Sequence, residues 1–334
     1  MKLHVDLKEK SYPIYIEPGI LHHIQDYINL DRKVLIITDD HVPMTYAKTV
    51  QKQCKNGIIE VIPMGEESKS FAQFQALCKV LLHHHFTRKD LVIAVGGGVV
   101  GDLSGFVASS YMRGIDFVQI PTTTLSQIDS SIGGKVAINL DGVKNIVGAF
   151  YQPKAVFIDF DTLKTLPERH FYNGLVEALK AGMIYDEKLF ELFEQGAITD
   201  HLEEIIYRSL CVKKDVVEKD EKEQNLRKIL NFGHTIGHAI ESYYDLTQYY
   251  HGECVALGML YFMDPDLYER VLPIYEKMHL KSHVDFDAKQ VFSYLQNDKK
   301  AVGDQIDIVY VKTIGQAEIL HRSLQEIEEL LIRG

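Results

Sequence analysis

The sequence predicts an α/β N-terminal domain built on a parallel sheet, followed by a mostly α-helical C-terminal domain. Three observations predict it. Short aliphatic runs alternate with helical periods over the first 160 of the 334 residues. A glycine-rich turn, Gly96-Gly97-Gly98-Val99-Val100-Gly101-Asp102, lies between an aliphatic run and a helical pattern. Beyond residue 160, helical periods dominate to about residue 296. Strand–helix alternation of the first kind implies a largely parallel sheet with helices on both faces. The domains are therefore set at 1–160 and 161–334.

The elements follow in order. Segments 33–38 (KVLIIT), 58–63 (IIEVIP), 91–95 (LVIAV), 116–121 (DFVQIP) and 155–159 (AVFID) read as strands. Each is short, aliphatic or β-branched, and bounded by turn residues. Segments 42–54 and 70–86 place apolar residues every three or four positions and read as helices. In the second domain the helical periods are clearest at 171–184, 202–217, 229–243 and 253–263. A strand pair is predicted at 306–312 and 317–320.

Composition excludes several functions. Asp and Glu number 47 against 36 Lys and Arg, a formal net charge of −11, so the basic footprint of non-specific nucleic-acid binding is missing. No stretch approaches the ~18 continuous apolar residues of a membrane span. The N-terminal residues alternate in polarity and hold no signal-peptide core, which predicts a cytoplasmic protein. Cys54, Cys78, Cys211 and Cys254 form no close pairs and read as reduced thiols.

Three clusters could carry chemistry. The glycine turn matches GxGxxG through Gly96, Gly98 and Gly101, and makes the first domain Rossmann-like. Such a turn binds a pyrophosphate on helix-terminal N–H groups, yet it reads equally as a structural turn. Generic spacing would make Asp116, twenty residues after Gly96, the ribose acid, although its strand is not the first. The run Pro121-Thr122-Thr123-Thr124, then Asp129-Ser130-Ser131-Ile132-Gly133-Gly134-Lys135, suits phosphate or polyol groups. Finally, His234 and His238 stand at i, i+4 and share a helical face. His251 opens a second helical pattern, and Glu177 and Lys180 stand at i, i+3 on an earlier helix. Histidines with a carboxylate suit Zn2+ with one open position, or an acid–base pair. The triplet His83-His84-His85 could bind metal but reads rather as a solvated helix end, and the charged run 218–223 as a solvated face or loop.

These pieces together resemble the 3-dehydroquinate synthase family, of the sugar phosphate cyclase group. The matching segments are GGGVVGDLSGFVAS, PTTTLSQIDSSIGGK, VKNIVGAF, NGLVEALK, NFGHTIGHAIE and HGECVALGM, starting at Gly96, Pro121, Val143, Asn173, Asn231 and His251. The resemblance implies an enzyme dependent on NAD and a divalent metal, Zn2+ or Co2+. Its substrate is a seven-carbon keto-sugar acid phosphate. Transient oxidation, phosphate β-elimination, reduction, ring opening and aldol closure then give 3-dehydroquinate for aromatic amino acid biosynthesis, with no net redox.

The resemblance also assigns residues. It gives the metal to Glu177, His234 and His251, in place of the His234/His238 pair, and leaves His238 a polar or proton-transfer role. For NAD it implies Asp39, Glu66, Lys69, Gly97, Gly98, Val99, Asp102, Thr122, Thr123, Leu125, Lys135, Lys144, Thr162 and Thr165. Two positions depart from the family pattern: His41 stands where asparagine is common, and His170 where glutamate is common. The substrate's phosphate and carboxylate are implied to meet Lys135, Lys180, Lys213, Arg227 and Lys299 or Lys300. Its hydroxyls are implied to meet Asp129, Asn145, Asn231 and His238. Arg113 resembles a residue that reaches a neighbouring subunit's substrate, which implies a homodimer. The alternatives are an NAD-dependent polyol dehydrogenase, a cyclase acting on a sugar phosphate without the carboxylate, and an NAD-binding sensor.

Overall fold

A computed structural model describes residues 1–221, 223, 225–244, 248–296, 301–302 and 305–333. The chain forms two compact units, Met1–Pro167 and Glu168–Gly334. The change of pattern at residue 160 falls inside the 3-10 segment Phe160–Thr165 that closes the first unit.

The first unit contains β1 (Lys2–Val5), β2 (Tyr12–Ile16), β3 (Lys33–Asp39), α1 (Met44–Gln51), β4 (Asn56–Ile62), α2 (Phe71–His83), β5 (Leu91–Gly96), α3 (Gly98–Ser110), β6 (Asp116–Pro121), β7 (Lys135–Leu140), β8 (Val143–Phe150) and β9 (Ala155–Ile158). Seven strands form one sheet in the order β1-β2-β9-β6-β5-β3-β4, parallel except for the β1–β2 hairpin. Alternate residues of β3 feed two cores. Leu35 and Ile37 join Leu77, Leu103 and Phe117, while Val34 and Ile36 join Val50, Ile93 and Phe157. A strand buried on both faces reads as an unbroken aliphatic run, which is why this one was legible.

β2 carries the alternation of a strand, with Tyr12, Ile14 and Ile16 buried. Its Pro13 has no N–H to donate. It sits outside the parallel pairing with β9, which begins at Ile14 opposite Val156. The antiparallel β7–β8 hairpin buries Val136 and Ile138 of β7, whereas β8 is largely exposed.

The second unit contains α4 (Glu168–Ile184), α5 (Glu187–Glu194), α6 (Leu202–Lys219), α7 (His234–Tyr243), α8 (His251–Leu260), α9 (Tyr268–Lys277), α10 (Ala288–Gln296), β10 (Ala301–Val302), β11 (Gln305–Thr313), β12 (Gln316–Ser323) and α11 (Leu324–Arg333). The single helix expected over 229–243 is in fact two elements. A 3-10 segment, Leu226–Asn231, ends before Gly233, whose φ of 77° breaks the helical ladder just before α7. No helix among the described residues is long and apolar enough to cross a membrane. All four cysteines are free, and burial raises the Cys54 thiol to about 11.

Candidate functional site

In the first unit, the sheet gathers the residues expected to hold NAD at one end. Asp39 ends β3, and Glu66 and Lys69 follow β4. Gly97, Gly98, Val99 and Asp102 follow β5; Thr122, Thr123 and Leu125 follow β6; Thr162 and Thr165 follow β9. All stand beyond the carboxyl ends of parallel strands. The chain leaves β3 for β4 on one side and returns to β5 on the other, so the strand order reverses between β3 and β5. That crevice is where open α/β sheets take their ligands. Ile37 pairs with Ala94, and both strands end shortly after, at Asp39 and Gly96.

The turn after β5 fits a pyrophosphate. Gly97, the N-cap of the 13-residue α3, makes no side-chain cap, so the N-cap residue leaves the first N–H groups of the helix open to an anion. A Cβ on Gly101 would stand 2.7 Å from Gln119 Oε1 on β6, so this glycine lets helix and strand approach closely. Asp116 does not belong here. It pairs with Leu91 at the start of β6, whereas Pro121 pairs with Gly96 at the turn. Its carboxylate instead meets Arg32 Nη1 at 2.8 Å. Parallel register puts it at the far end of the sheet, which corrects the generic ribose assignment.

Asp39 Oδ1 accepts from the N–H groups of His41 and Val42, each at 2.9 Å, fixing the turn after β3. The His41 ring points to Asp40 Oδ1 at 3.1 Å. His170 is exposed and stacks on Tyr250 at 4.5 Å between ring centroids. Thr162 is buried, and its hydroxyl is engaged by Asp159 O and Gln127 Nε2. Thr165 Oγ1 lies 2.9 Å from Tyr46 OH.

A buried lysine links several of these residues. Lys69 Nζ lies 2.7 Å from Asp102 Oδ2 and 3.5 Å from Glu66 Oε1, and donates to Asn145 Oδ1. Asn145 was expected to hold a substrate hydroxyl; here its side chain is tied to Lys69, at a φ of 55°. Burial lifts the Asp102 carboxyl from 3.8 to about 6, against the lowering pull of Lys69, with Glu66 and Asp129 adding to the rise. A raised acid pKa means the folded state holds the extra proton between these values. The stability contributed by this group therefore falls as pH rises through that window. Lys69→Met is expected to move the Asp102 midpoint above its wild-type value, read from carboxyl NMR shifts against pH; an unchanged midpoint refutes the coupling.

The second unit assembles an acid and three imidazoles. The stretch of α4 from Asn173 to Ile184 is buried, and Glu177 and Lys180 lie within it, 4% and 2% exposed. Such burial of charge requires pairing, and Lys180 Nζ donates to Glu177 Oε2. Glu177 Oε1 is buried with no hydrogen-bond partner among the described residues. His234 Nε2 lies 3.7 Å and His251 Nε2 3.9 Å from that oxygen. His234 and His251 open α7 and α8. α8 is anchored on α4 because Asn173 Oδ1, one turn before Glu177, accepts from Gly252 N at 2.7 Å.

Both imidazoles are held through their other nitrogen: His234 Nδ1 by Phe232 O at 3.1 Å, His251 Nδ1 by Glu241 Oε2 at 3.2 Å. Donors around a tetrahedral Zn2+ stand roughly 3.3 Å apart, from bond lengths near 2.0–2.1 Å. The observed separations are within reach of that value, so Glu177, His234 and His251 fit a divalent cation. His238 stands alongside, and ring nitrogens of His234, His238 and His251 all lie within 4.8 Å of one another. Burial lowers the His251 pKa, but Glu241 and Glu177 outweigh it and hold the group above 6.5. A bound cation must displace that proton.

Of the expected substrate cations, Lys180, Lys213 and Arg227 are buried in this unit. Arg227 is 1% exposed; its Nη1 donates to Glu221 O at 2.7 Å, and its Nε is buried without a hydrogen-bond partner among the described residues. Asn231 Nδ2 donates to Glu223 Oε1 at 3.0 Å. Lys135 and Lys144 are exposed on the β7–β8 hairpin, and Asp129 is partly buried in the segment Ser126–Ser130. Arg113 is exposed on a turn where Met112 and Arg113 both have positive φ, 50° and 65°. Lys299 and Lys300 lie outside the described residues.

Comparison with known proteins decides among the readings. Residues 59–173 match the model for the 3-dehydroquinate synthase N-terminal domain, and residues 174–301 the model for its C-terminal domain. The chain belongs to the 3-dehydroquinate synthase family.

Within that family, the 3-dehydroquinate synthase of Thermoanaerobacter pseudethanolicus is 42% identical, covering 98% of each chain. That of Dictyoglomus thermophilum is 43% identical, covering 96% of this chain and 94% of its own. Among solved structures, a 2-deoxy-scyllo-inosose synthase with carbaglucose-6-phosphate, NAD+ and Co2+ is 25% identical over the whole of both chains, with a TM-score of 0.91. A 2-epi-5-epi-valiolone synthase from Streptomyces hygroscopicus with NAD+ and Zn2+ is 26% identical over 98% of both chains, with a TM-score of 0.87. A probable glycerol dehydrogenase from Sinorhizobium meliloti, 15% identical over 96% of this chain and 95% of its own with a TM-score of 0.62, shares the fold alone.

Sequence reasoning within the family pattern missed the residues that hold the site residues in place. Asn139 receives Asn145 N at 2.8 Å on its Oδ1 and donates to Glu66 Oε1 at 2.9 Å. Asp159 accepts from the N–H groups of Gly19, Leu21 and Asp161. Asn173 and Glu241 lie inside quoted motifs, but only packing tells what they touch.

Proposed function

We propose that the chain converts 3-deoxy-D-arabino-heptulosonate 7-phosphate to 3-dehydroquinate and inorganic phosphate, a carbon–oxygen lyase step of the shikimate pathway. One observation carries the reading. In a chain of net charge −11, a carboxylate oxygen buried without a hydrogen bond faces two imidazoles, in a unit that also buries Lys180, Lys213 and Arg227. That combination suits a cation together with an anionic substrate.

When bound, NAD supplies a reversible hydride acceptor, and Zn2+ or Co2+ a Lewis acid that acidifies a hydroxyl. The remaining work belongs to the chain. Glu177, His234 and His251 would hold the cation. The uncapped start of α3 and the residues at the carboxyl ends of β3 to β6 and β9 would hold NAD. The Arg227 guanidinium, with its free Nε donor, would meet the substrate carboxylate as a planar fork. Lys180 and Lys213 would stabilise developing oxyanions. Lys135 and the Lys299 or Lys300 position would meet phosphate; Asp129, Asn145 and Asn231 would hold hydroxyls. His238 would move a proton at the substrate through a ring nitrogen. We place the enzyme in the cytoplasm.

Phosphate release from the seven-carbon substrate, measured with and without chelator while following NADH absorbance, tests the reading. Stoichiometric, chelator-sensitive phosphate release with no net NADH is expected. NADH accumulating from a simple polyol, without phosphate, would overturn it in favour of a dehydrogenase.

We further propose a homodimer in which Arg113 reaches the partner's substrate, a reading supported by its exposure on a constrained turn. Mixing Arg113→Ala with Glu177→Gln subunits is expected to restore activity through the sites that combine an intact Glu177 with the partner's intact Arg113. No complementation after subunit exchange would refute the shared site.

A further inference from the structure

We propose that Glu241 is a positioning residue for His251, fixing the tautomer and angle with which this imidazole faces Glu177. The inference rests on the proposed metal site. Glu241 lies on α7 seven residues after His234, so His234, His238 and Glu241 share one face at i, i+4, i+7. That face packs against α8, and it carries Glu241 Oε2 to 3.2 Å from His251 Nδ1. Glu241 is 9% exposed.

A carboxylate there can only accept, so in the neutral ring Nδ1 carries the proton and Nε2 keeps its lone pair. Nε2 is the nitrogen 3.9 Å from the unpartnered Glu177 Oε1. His234 has the same arrangement with a main-chain acceptor, Phe232 O, held by the Gly233 turn. Backbone fixes one imidazole, so it is insensitive to side-chain change. A side chain fixes the other, so α7 sets the orientation of a ligand on α8. A purely structural ion pair would contribute to folding but would leave metal affinity and the tautomer unaltered. A positioning carboxylate moves both.

The test uses the full-length protein stripped of metal, with Zn2+ titrated against a chromophoric competitor. Glu241→Ala is expected to weaken Zn2+ binding by roughly 10–100-fold, the usual cost of losing an outer carboxylate partner. Glu241→Gln, whose amide oxygen can still accept from Nδ1, should lose less affinity, while in Glu241→Ala the ring 15N shifts should show His251 no longer held in the single Nδ1–H form. Wild-type Zn2+ affinity in both variants, or an unchanged His251 tautomer in Glu241→Ala, would overturn the proposal. Glu177→Gln is the control: if it loses Zn2+ while the Glu241 variants bind normally, only the Glu241 role fails. If Glu177→Gln binds Zn2+ normally, the metal-site reading itself fails.

Discussion

Glu177→Gln is expected to yield a folded protein that neither holds a divalent cation nor releases phosphate. The amide keeps the volume of a side chain that is 4% exposed, so packing on α4 is retained. Its Oε1 can still accept from Lys180, which avoids stranding that buried ammonium. What disappears is the negative charge 3.7 Å from His234 Nε2 and 3.9 Å from His251 Nε2, while the Lys180 ammonium beside it stays. A site left with imidazoles and the Lys180 ammonium, without that carboxylate, disfavours a further cation. The loss in affinity should therefore exceed the roughly 10–100-fold typical of an outer partner. His238→Asn should behave oppositely, keeping the cation while turnover drops by about 10²–10⁴-fold, as when an acid–base group is removed. Metal stoichiometry measured on both variants separates the possibilities. Should His238→Asn lose the cation and Glu177→Gln keep it, the three-imidazole cluster within 4.8 Å is the ligand set.

That ambiguity marks how far the sequence could be read. Residue types and spacing brought out His234, His238, His251, Glu177 and Lys180, because helical periodicity is a local property. The ligand set is not local. It depends on how α4, α7 and α8 pack, and the distances from Glu177 to two helices about sixty and seventy residues further on cannot be derived from spacing. There the family resemblance offers an assignment, Glu177 with His234 and His251, that periodicity leaves open. The same division holds for the fold. β3, β5, β6 and β9 were legible as aliphatic runs because the sheet is covered on both faces. β2 alternates clearly but is interrupted by Pro13, and β8 carries Lys144, Asn145 and Gly148, which disguise a strand. Asp116 misled because GxGxxG spacing assumes that the acid ends the next strand, whereas here it begins one.

Gly258→Ala is expected to destabilise the protein and weaken metal binding without touching a ligand. Helix propensity alone gives the opposite sign, since alanine in a helix interior is favoured over glycine by about 1 kcal/mol. Packing decides. A Cβ on Gly258, inside α8, would stand 2.0 Å from Gly233 O and 2.8 Å from Gly237 N. Both obstacles are backbone, and Gly233 O is the acceptor of Gly237 N in the first hydrogen bond of α7. No rotamer change relieves the contact; α7 and α8 must separate or the turn at Gly233 must open. Overpacking of this kind costs about 1–3 kcal/mol even where side chains can adjust, so a net loss of roughly 2 kcal/mol is expected after the propensity gain. Because His234 directly follows Gly233 and His251 opens α8, the strain falls on the spacing of the two imidazoles. Melting of the metal-free variant should fall below that of metal-free wild type, which isolates packing from ligation, and Zn2+ affinity should fall with it. A variant that melts higher than wild type would mean the two helices do not pack as closely as this geometry requires.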